Sequence, residues 1–297
     1  MLAQITLTPA ESKKLIAKAI ANIDTVKKAA KEGMIVLHPS SSTYFVVEEI
    51  TGKKPDTNYW VCGVVAPRGT CVEMAMLNFP PLPNNTPPSP RPGGGSGDFS
   101  SWWVIKKGEI SPTAKISELM EQMTSGDAFI KGANALDSQG TAGILIGEPM
   151  SGGTLGFVLS AWRKKQFNLI YSVGLEKMIP ISVTEAAKAA KPAKYDYCMG
   201  LPTGLFPCTD GETVTEIDAI KMLSGADAVP IAAGGLGGAE GSITLVIKGN
   251  EEQVKKAIDF IEQSKGAKLP QLRLRKCQGC PAGHCRFPVG DKHWNLI

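Results

Sequence analysis

Few folds accommodate the order of residues between Gly126 and Thr154, GDAFIKGANALDSQGTAGILIGEPMSGGT. Ala128-Phe129-Ile130 is a short apolar run of the kind a buried strand needs, and Ala142 to Ile146 is a second. Between them lie the turn formers Asn134, Asp137, Ser138, Gln139 and Gly140. Ser151-Gly152-Gly153-Thr154 then opens a helical segment that ends near Gln166. Free N–H groups at such a helix start, approached closely past glycine, form an anion site. The stretch predicts strand, turn, strand, glycine-rich turn and helix, with a binding place at the helix start.

The same alternation runs through the first two thirds of the chain. Thr8 as N-cap, Pro9 at the first helical position and Glu11 three residues after the cap make a capping box. Leu15, Ile16, Ala19, Ile20, Ile23 and Val26 follow at helical spacing. Met34 to Leu37 is a buried-strand candidate that runs into His38-Pro39-Ser40-Ser41-Ser42-Thr43 and a helix over Tyr44 to Ile50. Here Ser40, Ser41, Ser42 and Thr43 offer hydroxyl donors to an anion, although Ser-rich turns are also ordinary helix caps. His38 stands at a strand end, where α/β proteins place functional groups, and equally reads as a structural histidine bonded to its loop.

Tyr59 to Val65 and Thr70 to Leu77 are further strand candidates, with Cys62 and Cys71 as core residues. The proline- and glycine-rich loop 78–101 admits no regular element and reads as either disordered or a functional lid, with Phe99, Trp102 and Trp103 suggesting that its far end docks onto the body. Ser117 to Met123 is a helix, Asn168 to Val173 a strand ending in Gly174-Leu175-Glu176-Lys177, and Ser182 with Glu185 caps a helix running to Ala190. Strands alternating with helices predict an α/β domain, a mostly parallel sheet with helices on both faces.

Composition narrows the class. With 297 residues, 43% hydrophobic, 20% charged and a net charge of +4, the chain supports one large domain or two ordinary ones. Arg273, Arg275 and Lys276 are the one local basic cluster, too small for a nucleic-acid surface. No stretch reaches the length of a membrane span, no secretory signal is read, and a cytoplasmic location is expected. Seven cysteines there are read as thiols or metal ligands.

The succession Gly132-Ala133-Asn134, Asp137, Gly140, then Ser151-Gly152-Gly153-Thr154 with its helix, then Ile170-Tyr171-Ser172-Val173-Gly174, resembles the sugar-phosphate isomerase and CoA-transferase superfamily. The resemblance covers roughly residues 8–190. It implies that family's α/β fold and a phosphorylated sugar or acyl-CoA as ligand. Two departures stand out. Where ribose-phosphate isomerases resemble Asp-Gly-Ala-Asp, this chain has Lys131-Gly132-Ala133-Asn134, and an amide cannot be the carboxylate base of proton abstraction. The lysine those isomerases carry before the glycine-rich loop has no counterpart in Gly147, Glu148 and Pro149. Glu148, as the nucleophile that a CoA transferase uses or as a structural cap, and Asp137, as acid or base or as a turn residue, are with Asn134 the candidate catalytic groups.

After Ala190 the pattern changes. A helix from Thr215 to Leu223, strands Ala228 to Ala233 and Ser242 to Ile247, and a helix from Glu251 to Lys265 predict a small α+β unit resembling a ferredoxin-like module. GGLGGAEGS lies between its two strands and is read as a hairpin connection rather than a nucleotide loop. The run from Gly200 to Gly211 is read as a linker able to return to the cleft. Expected divisions are 1–190, 191–268 and a tail, 269–297. In the tail Cys277, Cys280 and Cys285, with His284, have the spacing of a knuckle for zinc or an iron–sulfur cluster; loose reduced thiols are the alternative.

The function expected is binding, or binding and transforming, a small anionic metabolite at the end of the parallel sheet. Ser40, Ser41, Ser42, Thr43, Ser151, Gly152, Gly153 and Thr154 would hold the anion. The competing expectation is a non-catalytic sensor or assembly protein that keeps the anion pocket. A homo-oligomer is expected in either case, with no nucleic acid and no membrane as partner.

Overall fold

The computed structural model describes residues 1–57, 65, 69–70, 102–147, 153–190, 195–200 and 202–270. In chain order the first elements are β1 (Leu2–Leu7), α1 (Pro9–Asn22), α2 (Asp24–Glu32), β2 (Met34–Leu37) and α3 (Ser41–Thr51). They are followed by β3 (Trp103–Lys106), β4 (Glu109–Ser111), α4 (Ile116–Gln122), β5 (Ala128–Gly132), β6 (Ala135–Leu136), β7 (Ala142–Ile146), α5 (Gly153–Lys165) and β8 (Asn168–Ser172). A single 3₁₀ turn at Leu175–Lys177 precedes α6 (Val183–Ala189), β9 (Gly204–Cys208), β10 (Glu212–Val214), α7 (Glu216–Ser224), β11 (Asp227–Gly234), β12 (Ser242–Lys248) and α8 (Glu251–Glu262).

The fold is mixed α/β, with a six-stranded sheet in the order β10-β8-β5-β2-β3-β4. Parallel pairing in it joins β10 to β8, β8 to β5 and β5 to β2. Every residue of β2 is buried, as are the first four of β5 and the last four of β8, which is the near-continuous burial of strands covered on both faces. Helix α1 packs against α3, α7 and β8, and α3 against β5, while α4 packs against α5. The α1 capping box expected at Thr8 and Glu11 is present, and Leu15, Ile16 and Ile20 are fully buried. Burying each of these side chains contributes about 1.5–3 kcal/mol. No helix among the described residues is long and apolar enough to cross a membrane.

Two antiparallel strands extend the sheet beyond β2. Trp103 pairs with Leu37, and β3 turns into β4 at Lys107 and Gly108, whose φ values of 52° and 77° are left-handed. That two-residue turn matches the strand twist of a hairpin. Trp103 therefore docks onto the body in a strand between β2 and β4, and Trp102, buried just before it, packs against His38. The preceding loop 78–101 and both strand candidates between Tyr59 and Leu77 lie outside the described residues, apart from isolated positions.

The second apolar run, β7, leaves the main sheet. It sits between β6 and β9 in a three-stranded antiparallel sheet, paired residue by residue from Ala142–Cys208 to Ile146–Gly204. The supposed linker thus supplies β9 and leads into β10, which adds to the main sheet. The expected boundary at residue 190 falls inside these sheets. The third sheet, β1-β12-β11, joins segments far apart in the chain, because Leu2 to Leu7 pair antiparallel with Lys248 to Ile243. Glu11 reinforces the closure by accepting from Lys265 Nζ at 2.7 Å and Gly266 N at 2.9 Å. GGLGGAEGS does connect an antiparallel hairpin, β11 with β12.

At the opposite end of the parallel strands from the loops that follow them, the buried Asp127 carboxylate ties two elements together. It accepts from Met34 N at 2.6 Å, Thr124 N at 2.6 Å and Thr124 Oγ1 at 3.0 Å. Phe129, fully buried on β5, packs near Trp102 with ring centroids 6.1 Å apart. Phe129→Ala should lower the free energy of unfolding by about 3–5 kcal/mol, because the rigid central strand cannot collapse into the vacated space. Urea denaturation followed by tryptophan fluorescence measures it; a loss below about 1 kcal/mol would mean that β5 is not the rigid centre described.

Candidate functional site

The loops that follow β2, β5, β8 and β10 all emerge at one edge of the main sheet, where α/β proteins collect polar groups. After β2 the chain turns through His38-Pro39-Ser40 into α3. The Thr43 hydroxyl donates to His38 O at 2.5 Å, and Ser40 N donates to Thr43 Oγ1 at 3.1 Å. These bonds fix the start of α3. The neighbouring strand end can approach it because residue 132 is glycine: a Cβ there would stand 3.1 Å from both Ser40 Oγ and Ser42 Oγ. Ser172 Oγ, at the end of β8, donates to Ser42 O at 3.1 Å. Lys177 Nζ donates to Ser42 Oγ at 3.0 Å. A cation and a hydroxyl thus converge at the positive end of α3.

The other side of the same edge carries a second set. Pairing of β5 with β8 puts Lys131 beside Tyr171 and Gly132 beside Ser172, so Lys131 and Tyr171 share the face opposite Ser172. Lys131 is only 8% exposed, yet it forms no hydrogen bond or ion pair with any described residue. Burial pushes its amine down to about 8, the Cys208 thiol opposes that and the Lys177 charge adds to it. Lys177 is likewise held at about 8, chiefly by desolvation, against the pull of Glu176 and Glu216. Both amines are therefore within reach of neutral pH in either protonation state.

Further polar atoms near Lys131 are also unpaired or weakly paired. His38 Nδ1 is buried without a hydrogen-bond partner among the described residues, and the buried Tyr171 hydroxyl meets only the weakly accepting Cys208 thiol. Desolvation, reinforced by the Lys131 charge, holds His38 well below its ordinary value, so its ring is neutral at pH 7. Tyr171 is raised far above its usual range by burial and by Cys208, and Cys208 is raised to about 11 by burial. Cys208 is thus a protonated thiol and Tyr171 a protonated phenol.

Behind Lys177 lies a carboxylate cluster with its own partners. Lys13 Nζ bonds Glu176 Oε1 at 2.5 Å, and Glu216 accepts from Leu175 N at 2.9 Å. Gly174 permits this packing, because a Cβ there would stand 1.7 Å from Glu176 Oε2. Desolvation opposes ionisation of Glu176, but the charges of Lys13 and Lys177 keep its pKa below the ordinary value. Burial and the Glu176 charge push Glu216 up to about 7.

The expected site residues fare differently. Ser42 takes part in the cluster; Ser40 and Thr43 use their hydroxyls on each other and on the turn, and Ser41 is half-buried at the first position of α3. Asn134 Oδ1 accepts from Leu145 N at 3.0 Å, which ties the open end of the β6–β7 hairpin. Asp137 accepts from Gln139 N, Thr141 N and Val183 N at 2.9–3.0 Å, so it staples α6 to the turn. Burial disfavours its charge, but those N–H groups outweigh it and hold its pKa below the ordinary value. With their acceptors committed to backbone, Asn134 and Asp137 are structural in this state. Gly153 and Thr154 begin α5. Glu148, Ser151 and Gly152 lie outside the described residues, as do Cys277, Cys280, His284 and Cys285. Among the described residues no cluster of His, Cys, Asp and Glu is placed to hold a metal ion.

Sequence reasoning passed over Lys131 and Lys177 as functional groups. The signal for Lys131 was its position in AFIKG, a charge inside a run otherwise fit for burial on both faces. Lys177 carried no comparable signal, since a Glu-Lys pair after a strand reads as a solvated turn.

A raised Glu216 means that the folded state retains a proton that the unfolded chain releases above about 4.5. Stability from this group is therefore full below pH 4.5 and declines as pH rises to 7. Glu216→Gln should remove a decline on the order of 1–3 kcal/mol between pH 5 and pH 7.5, measured by urea denaturation of both proteins. Parallel pH profiles for parent and variant would contradict the assignment. No protein-family model, curated protein or solved structure matches the chain.

Proposed function

We propose that the chain binds a small anionic metabolite at the edge of the sheet where β2, β5 and β8 end. Lys131 and Lys177 supply the positive charge, and Ser42 with the start of α3 supplies the seat. The observation that carries this reading is Lys131, a buried amine that meets no carboxylate among the described residues. A buried lysine without a counter-ion costs stability, and burial without a partner is rare unless a ligand completes it. The resemblance to sugar-phosphate isomerases and CoA transferases points to the same class of ligand, a phosphorylated sugar or an acyl-CoA. The small α+β unit, a hairpin with α7 and α8 around it, is part of a ferredoxin-like module in this reading.

A non-catalytic sensor is the second reading. It is favoured by Asn134 and Asp137, whose bonds to backbone leave neither as an acid or base. The cysteine-rich tail is proposed as a separate metal knuckle. Elemental analysis of protein purified without oxygen tests it, with zinc or iron expected and no metal at all counting against it.

Lys131→Met separates a binding role from a structural one. The variant should be at least as stable as the parent without ligand, because it replaces an uncompensated buried amine by an apolar side chain of similar length. In the parent, inorganic phosphate at one hundred times its dissociation constant should add about 2.7 kcal/mol at pH 7. That gain should shrink as pH rises past 8, where both amines lose their protons. Thermal denaturation with and without phosphate reads all three. A destabilised variant, or a phosphate effect unchanged in it, would remove Lys131 from the site.

A further inference from the structure

Lys177 and Lys131 are not equivalent, and the difference assigns them different chemistry. Lys177 is also held at about 8, but its hydroxyl partner Ser42 and the charges of Glu176 and Glu216 favour its ammonium form, the one that holds an anion. Lys131 has neither partner nor carboxylate among the described residues. Around it stand a neutral imidazole with an unused Nδ1, which can accept a proton, and a phenol hydroxyl beside the Cys208 thiol, which can donate a hydrogen bond. A desolvated lysine beside a second cation is the arrangement that turns an ammonium into a nucleophilic amine.

We infer that Lys131 is the reactive amine of this edge and condenses with the carbonyl of a small oxo acid whose anionic group is held by Lys177, Ser42 and the start of α3. This rests on the anion site proposed above. The neutral Nζ attacks the carbonyl carbon, and the C–O π pair moves to oxygen, which takes a proton. The nitrogen gives up a proton to His38 Nδ1 or through water. Loss of the hydroxyl as water then forms the C=N bond. The sum is amine plus carbonyl giving imine plus water, with no oxidant or reductant. Tyr171 stays protonated throughout and serves as a hydrogen-bond donor to the carbonyl oxygen.

Glyoxylate, the smallest anionic aldehyde, with cyanoborohydride at pH 7 tests the inference directly on the full chain. Imines are reduced to stable secondary amines, and peptide mapping by mass spectrometry counts them at each lysine. An amine at about 8 has a neutral fraction roughly two orders of magnitude above that of an ordinary lysine near 10.4. Lys131 should therefore be modified at least tenfold faster than the exposed Lys107 and Lys164, and inorganic phosphate should slow it selectively. Lys131→Arg should keep the phosphate-induced thermal shift and lose the fast labelling. Labelling of Lys131 no faster than of Lys107 and Lys164, or fast labelling at Lys177 instead, overturns the inference. If phosphate still stabilises the parent but not Lys131→Met, that failure belongs to the amine chemistry alone. If phosphate binding is also absent, the anion site falls with it.

Discussion

Burial of β2, β5 and β8 on both faces is the constraint from which the rest follows. Strands enclosed in this way admit polar side chains only at their ends, since a charge in the middle would lie several residues from any water or partner. At one end the solution is complete. The Asp127 carboxylate is engaged by Met34 N, Thr124 N and the Thr124 hydroxyl, so its charge is matched by donors. Towards the other end β5 carries Lys131, its penultimate residue, which has no match among the described residues. One short strand thus carries a satisfied structural charge at its start and an unsatisfied one near its finish.

Much of the arrangement was legible in the sequence because it depends on local chemistry. The capping box at Thr8 and Glu11, the apolar strand at Met34 to Leu37 and the helix capped by Ser182 are set within a few residues, and they occur where residue type requires. Pairing partners were far less legible. Ala142 to Ile146 is as apolar as Ala128 to Ile130, and nothing local distinguishes a strand of the main sheet from one that leaves it. What decides is the return of Gly204 to Cys208, which carries Pro207 and sits among turn formers; it reads as linker until its partner is known. The first strand is a similar case. Leu2 to Leu7 alternates exposed and partly buried residues weakly, and only β12, more than two hundred residues later, gives it a sheet to join.

The site was legible as a place and misread as a set of residues. The hydroxyl-rich turn after β2 does lie at the sheet edge beside the end of β5, as the strand–turn–helix pattern suggested. Its most conspicuous groups are occupied in making that geometry, however. Ser40 and Thr43 bond the turn, and Asp137 gathers three backbone N–H groups to seat α6. Turn formers owe their place to hydrogen bonds with backbone. The same property that makes them visible in a sequence thus removes them from the pool of reactive groups. The side chains of Lys131 and His38, which do no such work, were the quieter groups.

The carboxylates nearest to the two lysines sharpen this division. Glu176 and Glu216 could have neutralised a lysine pair, yet Glu176 is bonded to Lys13 and Glu216 to Leu175 N, on the far side of Lys177. Gly174 gives Glu176 the room to lie there. The negative charge of the cluster is thereby spent on holding the turn that carries Lys177, while Lys131 on the other face of β5 has His38, Tyr171 and Cys208 as uncharged neighbours and feels the repulsive charge of Lys177. A fold optimised for stability alone would gain by exchanging Lys131 for methionine or leucine at the same position. Retaining an ammonium there makes physical sense if its partner arrives from solution, and the neutral, proton-competent groups around it suit a partner whose carbonyl reacts.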